Sequence, residues 1–138
     1  MMRNFTIISF IVFLISSANS ISAQIVISTP NLGFSQACAS ESFNTYNTTF
    51  SFSPESELTA TNKFIIELSD DTGSFSSPTI LYTSAEGEIT VSPATLGFSL
   101  PTTTSGENYK IRIKSTGPAA TSTGSVSFPA YYKLQDEP

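Results

Sequence analysis

The stretch Asn108-Tyr-Lys-Ile-Arg-Ile-Lys-Ser115 puts Tyr109, Ile111 and Ile113 on one side of an extended chain and Lys110, Arg112 and Lys114 on the other. Only a strand that is dry on one face and wet on the other keeps all three cations in water while burying the apolar set. The chain must therefore offer a second layer for that apolar face to rest on.

The same period of two recurs along the chain, and no helical three-and-four spacing is sustained anywhere. In residues 47–53, Phe50 and Phe52 share a face opposite Thr49 and Ser51, and Pro54 ends the run. In residues 63–69, Phe64, Ile66 and Leu68 are expected inward and Lys63, Ile65 and Glu67 outward. Residues 78–84 and 88–92 read as two short strands around a tight turn at Ala85-Glu86-Gly87. In residues 125–132, Val126 and Phe128 are expected inward, and Pro129 marks an edge strand. About seven strands spaced by roughly ten residues, without helices, predict an all-β fold, an immunoglobulin-like or fibronectin III-like antiparallel β-sandwich. Leu96, Pro101, Gly106 and Tyr109 are placed as in a tyrosine corner, with the Tyr109 hydroxyl returning to the preceding turn.

The first residues carry one cation, Arg3, then an apolar run at 5–15, then small polar residues up to Ala23. This is the pattern of a cleaved secretory signal peptide, residues 1–23. The apolar run of about eleven residues is shorter than the roughly 20 a membrane-spanning helix needs, and no membrane span is expected in the mature chain. Residues 24–132 then form one domain, and 133–138 form a polar tail or the start of a linker to a further domain. Secretion or display at the cell surface is the expected location.

Eleven acids stand against six cations, one of them Arg3 in the leader, so the surface repels phosphate backbones and nucleic acid is not an expected partner. The single cysteine, Cys38, cannot make a disulfide within the chain; flanked by Ala37 and Ala39, it is expected as a small buried hydrophobe or as a thiol that pairs outside the chain.

With no histidine and one cysteine, the chain lacks the nucleophile systems built on Ser-His or Cys-His and the usual zinc and iron–sulfur ligand sets. No serine sits in a G-x-S-x-G elbow. The chain is read as a non-enzyme that needs no cofactor.

The most motif-like segment is Asp70-Asp71-Thr72-Gly73-Ser74. Asp and Gly between two strands are what a tight turn requires, with glycine accepting a positive φ. Asp70 and Asp71 are the nearest to metal candidates, but calcium wants six to eight oxygens, and the calcium-loop spacing is missing; Glu86 or Glu88 would have to converge on the turn.

Two surfaces qualify for binding. The stripe Lys110, Arg112, Lys114 could meet an acidic polymer, or Glu67 could neutralise it across the ladder. Tyr131 and Tyr132, with Phe75 and Phe98, are the aromatics available for a sugar platform in a chain without tryptophan.

The stretches "NKFIIELSDDTGSFSSPTILYTS" and "SLPTTTSGENYKIRIKSTGP" resemble a recurrent immunoglobulin-like or fibronectin-like module of large exported proteins of Bacteroidetes, which include gliding-motility, adhesion and type IX secretion-associated components. The resemblance spans residues 31–132 and rests on F-x-x-E-L-S-D-x-x-G-S-F and G-x-x-Y-x-I-R-I. It implies a structural or adhesive role with other cell-surface or secretion-system proteins as partners, and it carries over no catalytic residue. The alternatives are a carbohydrate-binding module, with polysaccharide as ligand, or an accessory domain of a secreted hydrolase.

Overall fold

The computed structural model describes residues 23–132; the expected leader, apart from Ala23, and the tail at 133–138 lie outside them. The described strands are β1 (Val26–Ile27), β2 (Asn31–Leu32), β3 (Ala37–Cys38), β4 (Tyr46–Phe50), β5 (Phe52–Ser53), β6 (Phe64–Leu68), β7 (Thr79–Thr83), β8 (Ala94–Phe98), β9 (Ser105–Tyr109), β10 (Ile111–Thr116), β11 (Ala119–Thr121) and β12 (Phe128–Tyr131). Among the described residues the one helical element is a 3-10 turn at Glu55–Glu57.

The sheets run β11-β10-β6-β7, β2-β4-β8, β3-β12-β9 and β1-β5. Only Lys110 separates β9 from β10, and only Ser51 separates β4 from β5, so in each case one extended stretch serves two sheets. Every ladder is antiparallel except the short β3–β12 pair. The fold is all-β, and antiparallel sheets that share one core are consistent with a β-sandwich.

The core follows from the alternation. Phe64, Ile66, Ile111 and Ile113 are fully buried where β6 and β10 pair, and Phe50 and Phe128 join them from other sheets. Each such side chain contributes about 1.5–3 kcal/mol of transfer free energy when it leaves water. Phe50, Phe52 and Phe64 pack with ring centroids 4.9–6.1 Å apart. A second aromatic group surrounds Phe34, which lies 4.7 Å from Tyr46 and 5.2 Å from Phe128.

Serines complete the ladders where strands end. Ser125 donates its N–H to the Ile111 carbonyl at 2.8 Å, and the Ile111 N–H donates back to the Ser125 hydroxyl at 3.0 Å. Ser122 with Ile113, Ser84 with Phe64 and Ser69 with Lys110 exchange bonds in the same way. All four serines are buried, and each hydroxyl then donates to the carbonyl of the next residue. Because the hydroxyl substitutes for the serine's own carbonyl, the chain can leave the ladder at that residue without orphaning the partner strand's N–H.

Four sequence expectations are corrected. Residues 88–92 form no strand: the Glu88 carboxylate accepts from the Ala85 N–H, while Ser92 is held by Glu55 and Phe52 through side-chain bonds. The strand lies further on, at β8. Val126 is 72% exposed, because the Ser125 exchange with Ile111 puts Ser125 inward and shifts the phase before Phe128. Glu67 points away from the core but is only 7% exposed, since Arg112 lies against it. Residues 125–132 are not an edge: β12 lies between β3 and β9, and the Ala39 N–H extends the β3 side by donating to the Tyr131 carbonyl at 2.7 Å. Pro129 falls at the register shift between Phe128 and Ala130, where the ladder with β9 is already interrupted.

Candidate functional site

The cationic stripe of β10 faces outward, as its alternation requires, but the protein itself uses its central member. Arg112 and Glu67 are ladder partners, and Arg112 Nε donates to Glu67 Oε1 at 2.7 Å. The loop after β6 folds back over this face and places the Phe75 ring against the guanidinium, 4.5 Å from its carbon to the ring centroid. Arg112 thus has a carboxylate beside it and an aromatic face over it, both favourable to a planar cation. Lys110 and Lys114 remain half-buried, and the Lys110 stem lies close to Gly73 and Gly124. Lys63 on the neighbouring strand is 3.8 Å from Glu86.

The Asp70 segment is a self-contained turn. Asp70 Oδ1 accepts from the Thr72 hydroxyl at 2.6 Å and from the Thr72 and Ser74 N–H groups at 2.9 Å each. Those bonds, the Thr72 hydroxyl first, hold the Asp70 carboxyl below its ordinary 3.8. Gly73 adopts φ +88°, which an L side chain would strain. Glu86 and Glu88 do not converge here. They sit by Asn62, before the start of β6, whose carbonyl accepts from the Gly87 N–H, whereas Asp70 follows that strand's end. Among the described residues no three acidic, histidine or cysteine side chains gather into a metal-binding group.

Beside this turn an open depression of about 290 Å³ lies between Asp70 and Asp71 on one side and Thr103 and Thr104 on the other, with Tyr109 in its lining. Tyr109 is buried, and its hydroxyl accepts from the Ser105 N–H at 3.1 Å, tying the last residue of β9 to its first rather than to the turn before it. Asp71 lies so close to Gly106 that a side chain there would collide with it. The depression offers hydroxyls and carboxylates but no exposed aromatic face on which a sugar ring could stack.

The aromatic candidates separate. Phe98 is a core residue, 5% exposed and packed near Phe34 and Tyr46, because β8 places it on the same inward face as Ala94 and Leu96; it is no surface platform. Phe75 is occupied by Arg112. Tyr131 is half-buried and donates its hydroxyl to Glu107 at 2.6 Å, and this bond holds its phenol above the ordinary 10.0. Tyr132 is 44% exposed. Cys38, half-buried rather than fully enclosed, approaches the Tyr132 carbonyl and the Ser40 hydroxyl, and its backbone is clasped by the Tyr46 hydroxyl.

Phe43, which no sequence pattern singles out, is 75% exposed. Its loop is fastened at both ends: Ser40 binds Phe43, and Asn44 exchanges side-chain bonds with Leu100 at 2.6 and 2.8 Å. Hydrogen bonds running from the Phe43 backbone through Ser40 and Cys38 to the Tyr132 carbonyl link the segments that carry these two exposed aromatics. No family model matches the chain, nor does any curated protein.

Proposed function

We propose that this chain is a non-enzymatic exported module that serves as a spacer or protein-binding unit in a bacterial cell-surface assembly of the gliding or adhesive kind. Its fold is read as an immunoglobulin-like or fibronectin-like sandwich. On this reading β2-β4-β8 is taken as strands A-B-E, and β11-β10-β6-β7 as G-F-C-C′; the strand orders support it. The observation that carries the functional reading is the use of the polar side chains: Arg112, Glu67, Asp70 and the four buried serines are all spent on holding strands and turns together. What remains for a partner is strand edge and surface, and strand edges bind through main-chain hydrogen bonds.

The test is localisation followed by capture. A tagged full chain should be processed near Ala23, become accessible to protease on intact cells, and co-purify with other exported proteins. Retention of the unprocessed chain in the cytoplasm would sink the reading.

A second reading, carbohydrate binding, is favoured by one observation, the exposure of Phe43 and Tyr132 on segments that hydrogen bonds link. Polysaccharide binding that is lost in both Phe43→Ala and Tyr132→Ala would promote it.

A further inference from the structure

Edge strands in natural sheets are usually blunted by brevity, bulges, charge or proline. Most of the edges here are treated in one of these ways. β1, β2 and β3 have two residues each, and β11 has three. β7 has a register shift opposite Ile66 and Glu67. β9 carries Glu107 and has Asp71 pressed against Gly106.

Among the described residues β8 carries no bulge, charge or proline within its five residues, although Pro93 precedes it and β7 passes close by. It bonds to β4 on one side and ends its sheet on the other. Its register with β4 runs unbroken over five residues, and no charged residue occurs from 89 to 106. Ala94, Leu96 and Phe98 point inward, while Thr95 and Gly97 face solvent.

The strand also matches itself. In an antiparallel pair centred on Leu96, Ala94 faces Phe98 of a second copy, Thr95 faces Gly97, and the two Leu96 residues meet. Small residues then oppose large ones on the dry face, and the wet face brings together only a threonine and a glycine. A two-fold axis perpendicular to the sheet keeps both dry faces on the same side, so two β2-β4-β8 sheets become one sheet of six strands. Elsewhere copies of a chain with eleven acids and six cations tend to repel; this edge brings no charge near its counterpart.

We propose that β8 is a self-pairing edge and that its occupant is β8 of a second copy of this chain. The inference rests on the reading of the chain as a protein-binding module and names its partner.

Sedimentation equilibrium of the purified chain, with reductant present so that Cys38 forms no cross-link, should show a concentration-dependent dimer. Thr95→Glu, which places two carboxylates diagonally across the axis on one face, should abolish it at concentrations where the parent pairs. Thr121→Glu, on the exposed β11 at the edge of the four-stranded sheet away from β7, should leave it intact. Circular dichroism establishes that both variants fold, and hydrogen exchange supplies a readout without mutation: amides of residues 94–98 should gain protection as the parent is concentrated. A monomer at all concentrations, a dimer that survives Thr95→Glu, or one that Thr121→Glu destroys overturns the proposal. A strict monomer that still captures a cell-surface protein overturns the pairing alone and leaves the module reading standing.

Discussion

Ile111 and Ser125 are bonded to each other twice, once through two backbones and once through a side chain that takes a backbone's place. The arrangement ends a ladder without leaving a buried donor unsatisfied. It also gives the abundant serines of this chain a structural use beyond making turns.

Ser125→Ala should leave the buried Ile111 N–H without an acceptor, at a cost of about 1–3 kcal/mol. Ser122→Ala should do the same to Ile113. Ser127→Ala, at an exposed position, should stay within about 0.5 kcal/mol of the parent. Urea denaturation followed by circular dichroism measures all three, and equal stabilities would refute the assigned role.

Arg112 and Glu67 should behave as a unit. The Glu67 side chain is 9% exposed and that of Arg112 23%, so removing either partner strands a poorly hydrated charge. Arg112→Met or Glu67→Leu alone should destabilise by about 2–4 kcal/mol, and the double variant by less than the sum. Additive losses in the double-mutant cycle would mean that the pair is uncoupled.

Asp70 should contribute to stability only where its carboxyl is ionised. Because its folded value lies below the ordinary 3.8, the contribution is complete above that pH and fades as pH falls through the folded value. Asp70→Asn should therefore flatten the acid side of the Tm-against-pH curve and leave the curve's shape at neutral pH unchanged. Adding calcium should shift the parent's Tm no more than that of the variant; a larger shift would restore the metal reading of this turn.

Tyr131 should titrate above 10.0 in the parent, and Glu107→Gln should bring it back toward that value. The hydroxyl's bond to Glu107 stabilises the fold below pH 10 and is lost as pH rises through the folded value. Absorbance of phenolate during an alkaline titration reads the shift.

Phe98→Ala should cost about 3–5 kcal/mol, as expected for a buried aromatic. Tyr132→Ala should be nearly neutral. Thermal melts of the two variants separate a core residue from a surface one.

The sequence made some of this visible and hid the rest for identifiable reasons. Alternation in residues 109–113 and 64–68 is legible because burial follows side-chain direction directly, and both segments turn the expected faces inward, the first across the change of strand at Lys110. The Glu67–Arg112 pair was foreseeable from the same alternation once the two strands were taken as neighbours. β8 is hard to read because Pro93 and Gly97 punctuate a segment whose Ala94, Leu96 and Phe98 alternate properly, while the more obvious apolar residues at 89 and 91 point to a strand too early in the chain. That misplacement put Phe98 at the surface. The roof of Phe75 over Arg112 depends on a loop folding back across a sheet, and the confinement of β12 depends on a two-residue parallel partner; neither leaves a local pattern to read.

The position of β12 also bears on the order of assembly. It is the last described strand, yet it occupies the middle of its sheet, with β3 and β9 both waiting for it. A polypeptide that emerges amino end first, as on a ribosome, can close that sheet only after nearly the whole domain is out, so these long-range pairings form late in its synthesis. Until then β3 and β9 stay without their common neighbour.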